Sequence, residues 1–120
     1  MANPFVHIEL NTTNTAKAKE FYGQLFGWKL SDMPMGDMTY TMIDVGGGTG
    51  GGITRQNMPN APSGWVPYVQ VDNLKASTEK ARSLGGKILM ENEPAGEMGT
   101  LSVFQDPTGA VIGLWQPKGR

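Results

Sequence analysis

The first residues of the chain alternate between apolar and polar side chains. Val6, Ile8 and Leu10 are apolar and each is followed by a polar residue, which is the two-residue period of a strand with one buried face. We expect these three side chains to face packed helices. His7 and Glu9 then share the opposite face of the strand.

The next segment carries apolar residues at helical spacing. Thr13 or Asn14 can cap its start, and Gly27 can end it in the left-handed conformation. The apolar residues recur at i, i+3, i+4, i+7 and i+8; they are Ala18, Phe21, Tyr22, Leu25 and Phe26. The pattern predicts a helix that ends at Gly27, followed by β-rich segments at 28–30, 39–45 and 51–54.

The same order of elements returns in the second half. A strand at 66–71 leads to a cap at Asp72 or Asn73 and a helix that stops at Gly85. The inner face of this helix is predicted at Leu74, Ser77, Ala81 and Leu84. Further strands follow at 87–90 and 100–105, and a turn at 106–109 joins the last one to a strand at 110–115.

Each half therefore has the order β-α-β-β-β, and internal repeats determine architecture. We predict an α+β fold in which two tandem βαβββ modules curl into a half-open β-barrel with the helices outside. A single domain covers 1–120, with one module at about 4–55, a linker at about 56–64 and a second module at about 65–117.

Composition excludes several classes of function. The 120 residues include no Cys and one His, so disulfides, zinc fingers, iron–sulfur clusters and thiol nucleophiles are ruled out. Ten Lys and Arg against eleven Asp and Glu leave no basic footprint for nucleic acid. No apolar run approaches the roughly 20 residues that span a bilayer, so we expect no membrane partner and a cytoplasmic location.

A glycine run at 46–52 contains the spacing of a dinucleotide-binding loop. That loop must open a helix, whereas a short strand and then prolines follow here. The run is better interpreted as a flexible hairpin link.

Several motifs together resemble a known family. They are His7-Ile8-Glu9-Leu10, Asn14, the helix end FYGQLFGW at 21–28, and DPxGxxIxL at 106–114. The chain resembles, over essentially its whole length, the vicinal oxygen chelate superfamily, which includes glyoxalase I, extradiol dioxygenases, fosfomycin-resistance proteins and bleomycin-resistance binding proteins. The resemblance implies the glyoxalase-like fold, with a ligand-binding cup.

In metal-dependent members of that family, four ligands point into the cup. The resemblance places the first at His7 and the others at Val66, Gly52 and Gly113, and none of these last three can bind a metal. We therefore expect no cofactor, although a divalent metal completed by a partner chain stays open. The two glycines are expected to leave room in the cup.

Strand alternation and the repeat place further side chains toward the cup. The predicted ligand-binding residues are His7, Tyr40, Gly52, Val66, Tyr68, Gln70, Gly113 and Trp115. For the aromatic residues, a role in the core or in a subunit interface is an open alternative.

Two functions compete. The first is a protein that binds a small apolar or aromatic molecule in a metal-free cup. The second is a metal-independent lyase or isomerase that uses His7 and Glu9 as acid and base. The alternative for both residues is a structural polar role. The resemblance also implies a homodimer, with the linker at 56–64 as the hinge if strands are exchanged.

Overall fold

The computed structural model describes residues 2–35, 38–56 and 61–118. The chain divides into two compact units, which are described in turn. The first unit comprises His7–Val66. The second consists of Pro67 onward together with the N-terminal residues through Val6.

The first unit contains four strands and one helix. They are β1 (Phe5–Thr12, part of this unit from His7 on), α1 (Thr15–Phe26), β2 (Lys29–Met35), β3 (Met38–Asp44) and β4 (Gly51–Arg55). The strands lie in the order β2-β3-β4-β1. β1 and β4 are parallel, and the other two pairs are antiparallel.

The core of the first unit lies between this sheet and α1. Leu10, Ile43 and Ile53 are buried, and Ala18 and Tyr22 of the helix pack against them. Leu10 thus faces a helix as predicted. Ile8, also predicted to face a helix, is 38% exposed.

Helix α1 begins and ends at the predicted residues. The Asn14 side chain accepts a hydrogen bond from the Lys17 N–H, and Gly27 adopts φ +68° while its N–H donates to the Gly23 carbonyl. The predicted apolar face is wider than the contact it makes, because only Ala18 and Tyr22 reach the core. The remaining apolar side chains are more than half exposed: Phe21, Leu25 and Phe26.

The second unit has the same order of elements. It contains β5 (Gly64–Gln70, part of this unit from Pro67 on), α2 (Leu74–Ser83), β6 (Lys87–Pro94), β7 (Gly99–Gln105) and β8 (Val111–Pro117). The strands lie in the order β5-β8-β7-β6, with β5 and β8 parallel. Its core is formed by Val71, Leu74 and Leu114, against which Val69 and Phe104 pack.

A hydrogen bond between two buried hydroxyls connects α2 to this sheet. Thr78 Oγ1 donates to the Leu74 carbonyl and lies 2.9 Å from Ser102 Oγ, which in turn accepts from the Asn92 N–H. The helix begins at the predicted cap, Asn73. It ends at Ser83, so Leu84 lies beyond it and is exposed, contrary to its predicted place on the inner face.

The predicted turn at 106–109 is confirmed. The Gly109 N–H donates to the Asp106 carbonyl, Asp106 Oδ1 accepts from the Thr108 N–H, and Gly109 has φ +98°. The glycine run also ends as predicted, because β4 and not a helix follows it.

The prediction of two β-α-β-β-β modules is thus confirmed. Residues 57–60 of the predicted linker lie outside the described residues. None of the helices that the structure describes has the length and apolar character needed to cross a membrane.

Candidate functional site

Three polar side chains meet in the first unit. His7 and Glu9 are two residues apart on β1 and therefore share a face, and Tyr40 reaches both of them from β3. The Tyr40 hydroxyl oxygen lies 2.6 Å from His7 Nε2 and donates to Glu9 Oε1 at 3.0 Å. All three residues are half-buried. We call them the His7–Tyr40–Glu9 cluster.

The two hydrogen bonds determine where the protons lie. A phenol has one proton, and that proton is donated to Glu9, so the bond to the imidazole requires a proton on His7 Nε2. Burial lowers the pKa of His7 below its ordinary value, which favours the neutral ring. The direction of donation is therefore from His7 to Tyr40 and from Tyr40 to the carboxylate of Glu9.

Gly52 makes room for this cluster. It is paired with Glu9 on β1 and with Met42 on β3, and Tyr40 lies on the same face of β3 as Met42. A Cβ atom at residue 52 would lie well under 3.0 Å from the Tyr40 hydroxyl oxygen and from two of its ring carbons. The phenol therefore occupies the place where a side chain of residue 52 would begin.

Gly113 has a similar place in the second unit. It is paired with Tyr68, and a Cβ atom at residue 113 would collide with the Tyr68 ring. The ring is buried, with 3% of its exposure retained. Glu9 is paired with Gly52 in the first half, and Tyr68 is paired with Gly113 in the second. The two glycines therefore have equivalent places in the strand pairing, in agreement with the predicted repeat.

The expectation that the two glycines open space is therefore wrong. At both positions a tyrosine ring fills the space that the missing side chain leaves. The sequence contained one signal for this arrangement, namely a tyrosine and a glycine on strands that neighbour each other in each half.

The other predicted binding residues lie along β5 and β8. Val66 is half-buried and belongs to the first unit. In the second unit, Gln70 and Trp115 are paired in register and half-buried. The Gln70 backbone also holds the N-terminal residues, since its N–H donates to the Pro4 carbonyl and its carbonyl accepts from the Asn3 side chain. Their role in binding stays a prediction.

The residues present do not fit the metal that the family resemblance implies. Among residues 2–35, 38–56 and 61–118, no three His, Cys, Asp or Glu side chains are grouped so that they could hold a metal ion. The ligand position at Gly52 is also covered, by the Tyr40 hydroxyl. His7 is instead engaged by a phenol.

The first unit also has two shallow surface depressions. One is bordered by Lys29, Asp44 and the glycine run, and the other by Thr12, Lys17 and Phe21. Neither includes a residue of the His7–Tyr40–Glu9 cluster. The chemistry of the cluster, and not the shape of a pocket, therefore distinguishes it.

Comparison with curated proteins gives relatives over most of the chain. The chain is 37% identical over 115 residues to "Putative glyoxylase CFP32" of Mycobacterium tuberculosis, covering 91% of this chain and 44% of that protein. It is 26% identical over 125 residues to the anthracycline biosynthesis protein DnrV of Streptomyces peucetius, covering 90% of this chain and 45% of DnrV. The chain thus spans less than half the length of these relatives.

Solved structures share its fold at low identity. A hypothetical protein from Bacillus halodurans matches with a TM-score of 0.75 and 12% identity, covering 100% of this chain and 98% of that one. Methylmalonyl-CoA epimerase from Mycobacterium tuberculosis matches with a TM-score of 0.69 and 18% identity, covering 94% and 87%. A family model matches residues 5–114. The chain belongs to the Glyoxalase/Bleomycin resistance protein/Dioxygenase superfamily.

Proposed function

We propose that this domain is a metal-independent lyase or isomerase that moves a proton next to the carbonyl group of a small molecule. The hydrogen-bonded His7–Tyr40–Glu9 cluster is the observation that supports this proposal. It joins a carboxylate, which can take a proton, to two groups that donate hydrogen bonds.

The chemistry of these groups suits proton abstraction. Removing a proton next to a carbonyl needs a base, and it needs a donor for the oxygen that becomes negative. Glu9 is the base in this proposal. His7, kept neutral by burial, donates through Nε2 to Tyr40 and holds the phenol in place.

The relatives are compatible with this class of reaction. One is named a glyoxylase, and one structural neighbour is the epimerase of a CoA thioester. Inverting a carbon next to a thioester carbonyl requires that a proton be removed and returned. The shared fold alone does not carry the activity over, so the proposal rests on the cluster.

Deuterium exchange tests the proposal directly. The protein is incubated in D2O containing EDTA with each of three probes in turn, namely methylmalonyl-CoA, 2-butanone and dihydroxyacetone. NMR follows the loss of the proton on the carbon next to the carbonyl. We expect exchange that survives EDTA and that Glu9→Gln lowers about 100-fold or more. Glu20→Gln, on the exposed side of α1, is the matched control and should exchange normally.

Two results would overturn the proposal. One is the absence of exchange above the rate without protein for every probe. The other is exchange that EDTA abolishes or that Glu9→Gln leaves unchanged.

The second candidate is a protein that binds a small aromatic molecule without turning it over. It is favoured by a relative that is named for anthracycline biosynthesis, since anthracyclines are flat aromatic molecules. Gln70 and Trp115, paired across β5 and β8, are the proposed contacts in the second unit. A ligand that binds the folded state but not the unfolded state raises the melting temperature. Doxorubicin should therefore stabilise the chain, and Trp115→Ala should remove the effect; an unchanged melting temperature would reject this candidate.

A further inference from the structure

The Tyr40 hydroxyl occupies a position at which the family resemblance places a metal ligand. Gly52 is the counterpart, in the first half, of the last ligand position at Gly113. Any side chain at residue 52 would begin where the phenol now lies. A hydrogen-bond donor thus stands where a ligand of a cation would stand.

The same hydroxyl contacts both residues of the proposed acid–base pair. It accepts from His7 at 2.6 Å and donates to Glu9 at 3.0 Å. Accepting one hydrogen bond strengthens the donation of another. The phenol is therefore a polarised donor next to a base, in a half-buried site where such bonds are stronger than in water.

We propose that Tyr40 is a catalytic residue that performs the electrophilic role of a metal, by donating its O–H to the substrate oxygen that gains negative charge. This inference rests on the proposed function. In the step, the C–H bond next to the carbonyl breaks and its proton goes to the Glu9 carboxylate. The electron pair moves to the carbonyl oxygen. The Tyr40 O–H turns its hydrogen bond from Glu9, which the incoming proton neutralises, to that oxygen and keeps its own proton. The reverse step returns the proton from Glu9 to carbon.

One donor also defines the class of substrate. A metal ion can bind two neighbouring oxygens of a substrate, whereas the single O–H of a phenol donates to one oxygen. The substrate is therefore a compound with a single activated carbonyl, such as a ketone or a thioester. A second oxygen on the adjacent carbon gives no advantage.

The experiment compares Tyr40→Phe with Tyr22→Phe in the deuterium-exchange assay. Tyr22 lies in the same unit and packs in its core, so it controls for the loss of a phenol oxygen as such. We expect Tyr40→Phe to lower kcat about 100- to 1,000-fold, as removal of one oxyanion donor does, with KM nearly unchanged. Tyr22→Phe should stay within about threefold. 2-Butanone should exchange at least as fast as dihydroxyacetone, relative to their rates without protein.

A graded variant separates catalysis from a structural role. Replacing Tyr40 by fluorinated tyrosines keeps the ring while changing the acidity of the phenol. A catalytic donor gives a kcat that varies with that acidity, and a structural one does not. This series also covers the case in which Tyr40→Phe fails to fold.

The outcomes distinguish this inference from the proposed function. If Glu9→Gln abolishes exchange while Tyr40→Phe and the fluorinated series leave kcat unchanged, the role of Tyr40 is refuted and the proposed function stands. If neither Glu9→Gln nor Tyr40→Phe changes the exchange, or no exchange occurs, both are refuted. A strong preference for dihydroxyacetone would refute the substrate class.

Discussion

Replacing Gly52 with alanine should destabilise the first unit by displacing Tyr40. The added Cβ would lie well under 3.0 Å from the phenol oxygen and two ring carbons, so the ring must move outward by about 1 Å or more to reach ordinary contact. The hydroxyl is bonded to His7 at 2.6 Å and to Glu9 at 3.0 Å. A shift of that size is large enough to take both distances beyond hydrogen-bonding range.

The expected cost follows from these contacts. Two lost hydrogen bonds contribute about 1 kcal/mol each, and overpacking adds about 1–3 kcal/mol. Because the cluster is half-buried, solvent can replace part of the lost bonding, so we expect a loss of about 2–4 kcal/mol in the free energy of unfolding. In a chain of this size that lowers Tm by about 8–16 °C.

A double-mutant cycle measured by urea denaturation isolates the collision. In a Tyr40→Ala background the space above residue 52 is free, so Gly52→Ala should cost almost nothing there. Gly113→Ala, which collides with Tyr68 in the other unit, is the matched control and should be additive with Tyr40→Ala. If Gly52→Ala lowers the free energy of unfolding equally in both backgrounds, the Tyr40 ring is not what requires a glycine at residue 52.

Three further predictions concern stability. Burial lowers the pKa of His7, so this side chain takes up a proton at a higher pH in the unfolded chain than in the folded one. The free energy of unfolding should therefore fall as pH drops below about 6.5, and it should level off below the pKa of the folded state. His7→Gln should lack this component in urea melts at pH 8 and pH 5.5, and a difference between wild type and variant that is independent of pH would contradict the prediction. Leu10→Ala, at 5% exposure, should cost about 2–5 kcal/mol, whereas Leu25→Ala, at 57% exposure, should cost less than about 1 kcal/mol; similar losses would show that the outer face of α1 is covered in solution. Asn14→Ala should cost about 1 kcal/mol by removing the cap of α1, and urea denaturation followed by circular dichroism should detect the loss; a variant as stable as wild type would contradict the role of this cap.

Local signals explain why the order of elements was predictable. The side chain of Asn14 and the left-handed conformation of Gly27 act within one turn of the helix they bound. The turn at 106–109 is likewise stabilised by Asp106 Oδ1, which accepts hydrogen bonds from the N–H groups of Thr108 and Ala110. Features of this kind depend on neighbours in sequence and can be recognised without the fold.

The coverage of α1 could not be predicted in the same way. Helical spacing shows that Phe21 and Leu25 share an apolar stripe with Tyr22, but it does not show how much of the stripe meets the sheet. In the structure, Ala18 and Tyr22 are the side chains of this stripe that pack against the buried core. The width of a contact depends on how the helix lies on the sheet, which is a tertiary property.

The candidate site shows the same division. That His7 and Glu9 share a face follows from the period of a strand. Their connection through Tyr40 depends on which strands are neighbours and in which register, since Tyr40 is 31 residues from Glu9. The sequence placed Tyr40 among the residues facing the cup, but it could not show that the phenol joins the other two.

The two halves use a glycine at equivalent positions for different neighbours. In the first, the residue paired with Gly52 is the carboxylate Glu9, and the phenol above the glycine comes from β3. In the second, the residue paired with Gly113 is itself the phenol, Tyr68. At both of these positions, therefore, a tyrosine ring covers the glycine and the site is not empty. Gly52 and Tyr40 should accordingly change together, because a side chain at residue 52 requires a smaller residue at 40.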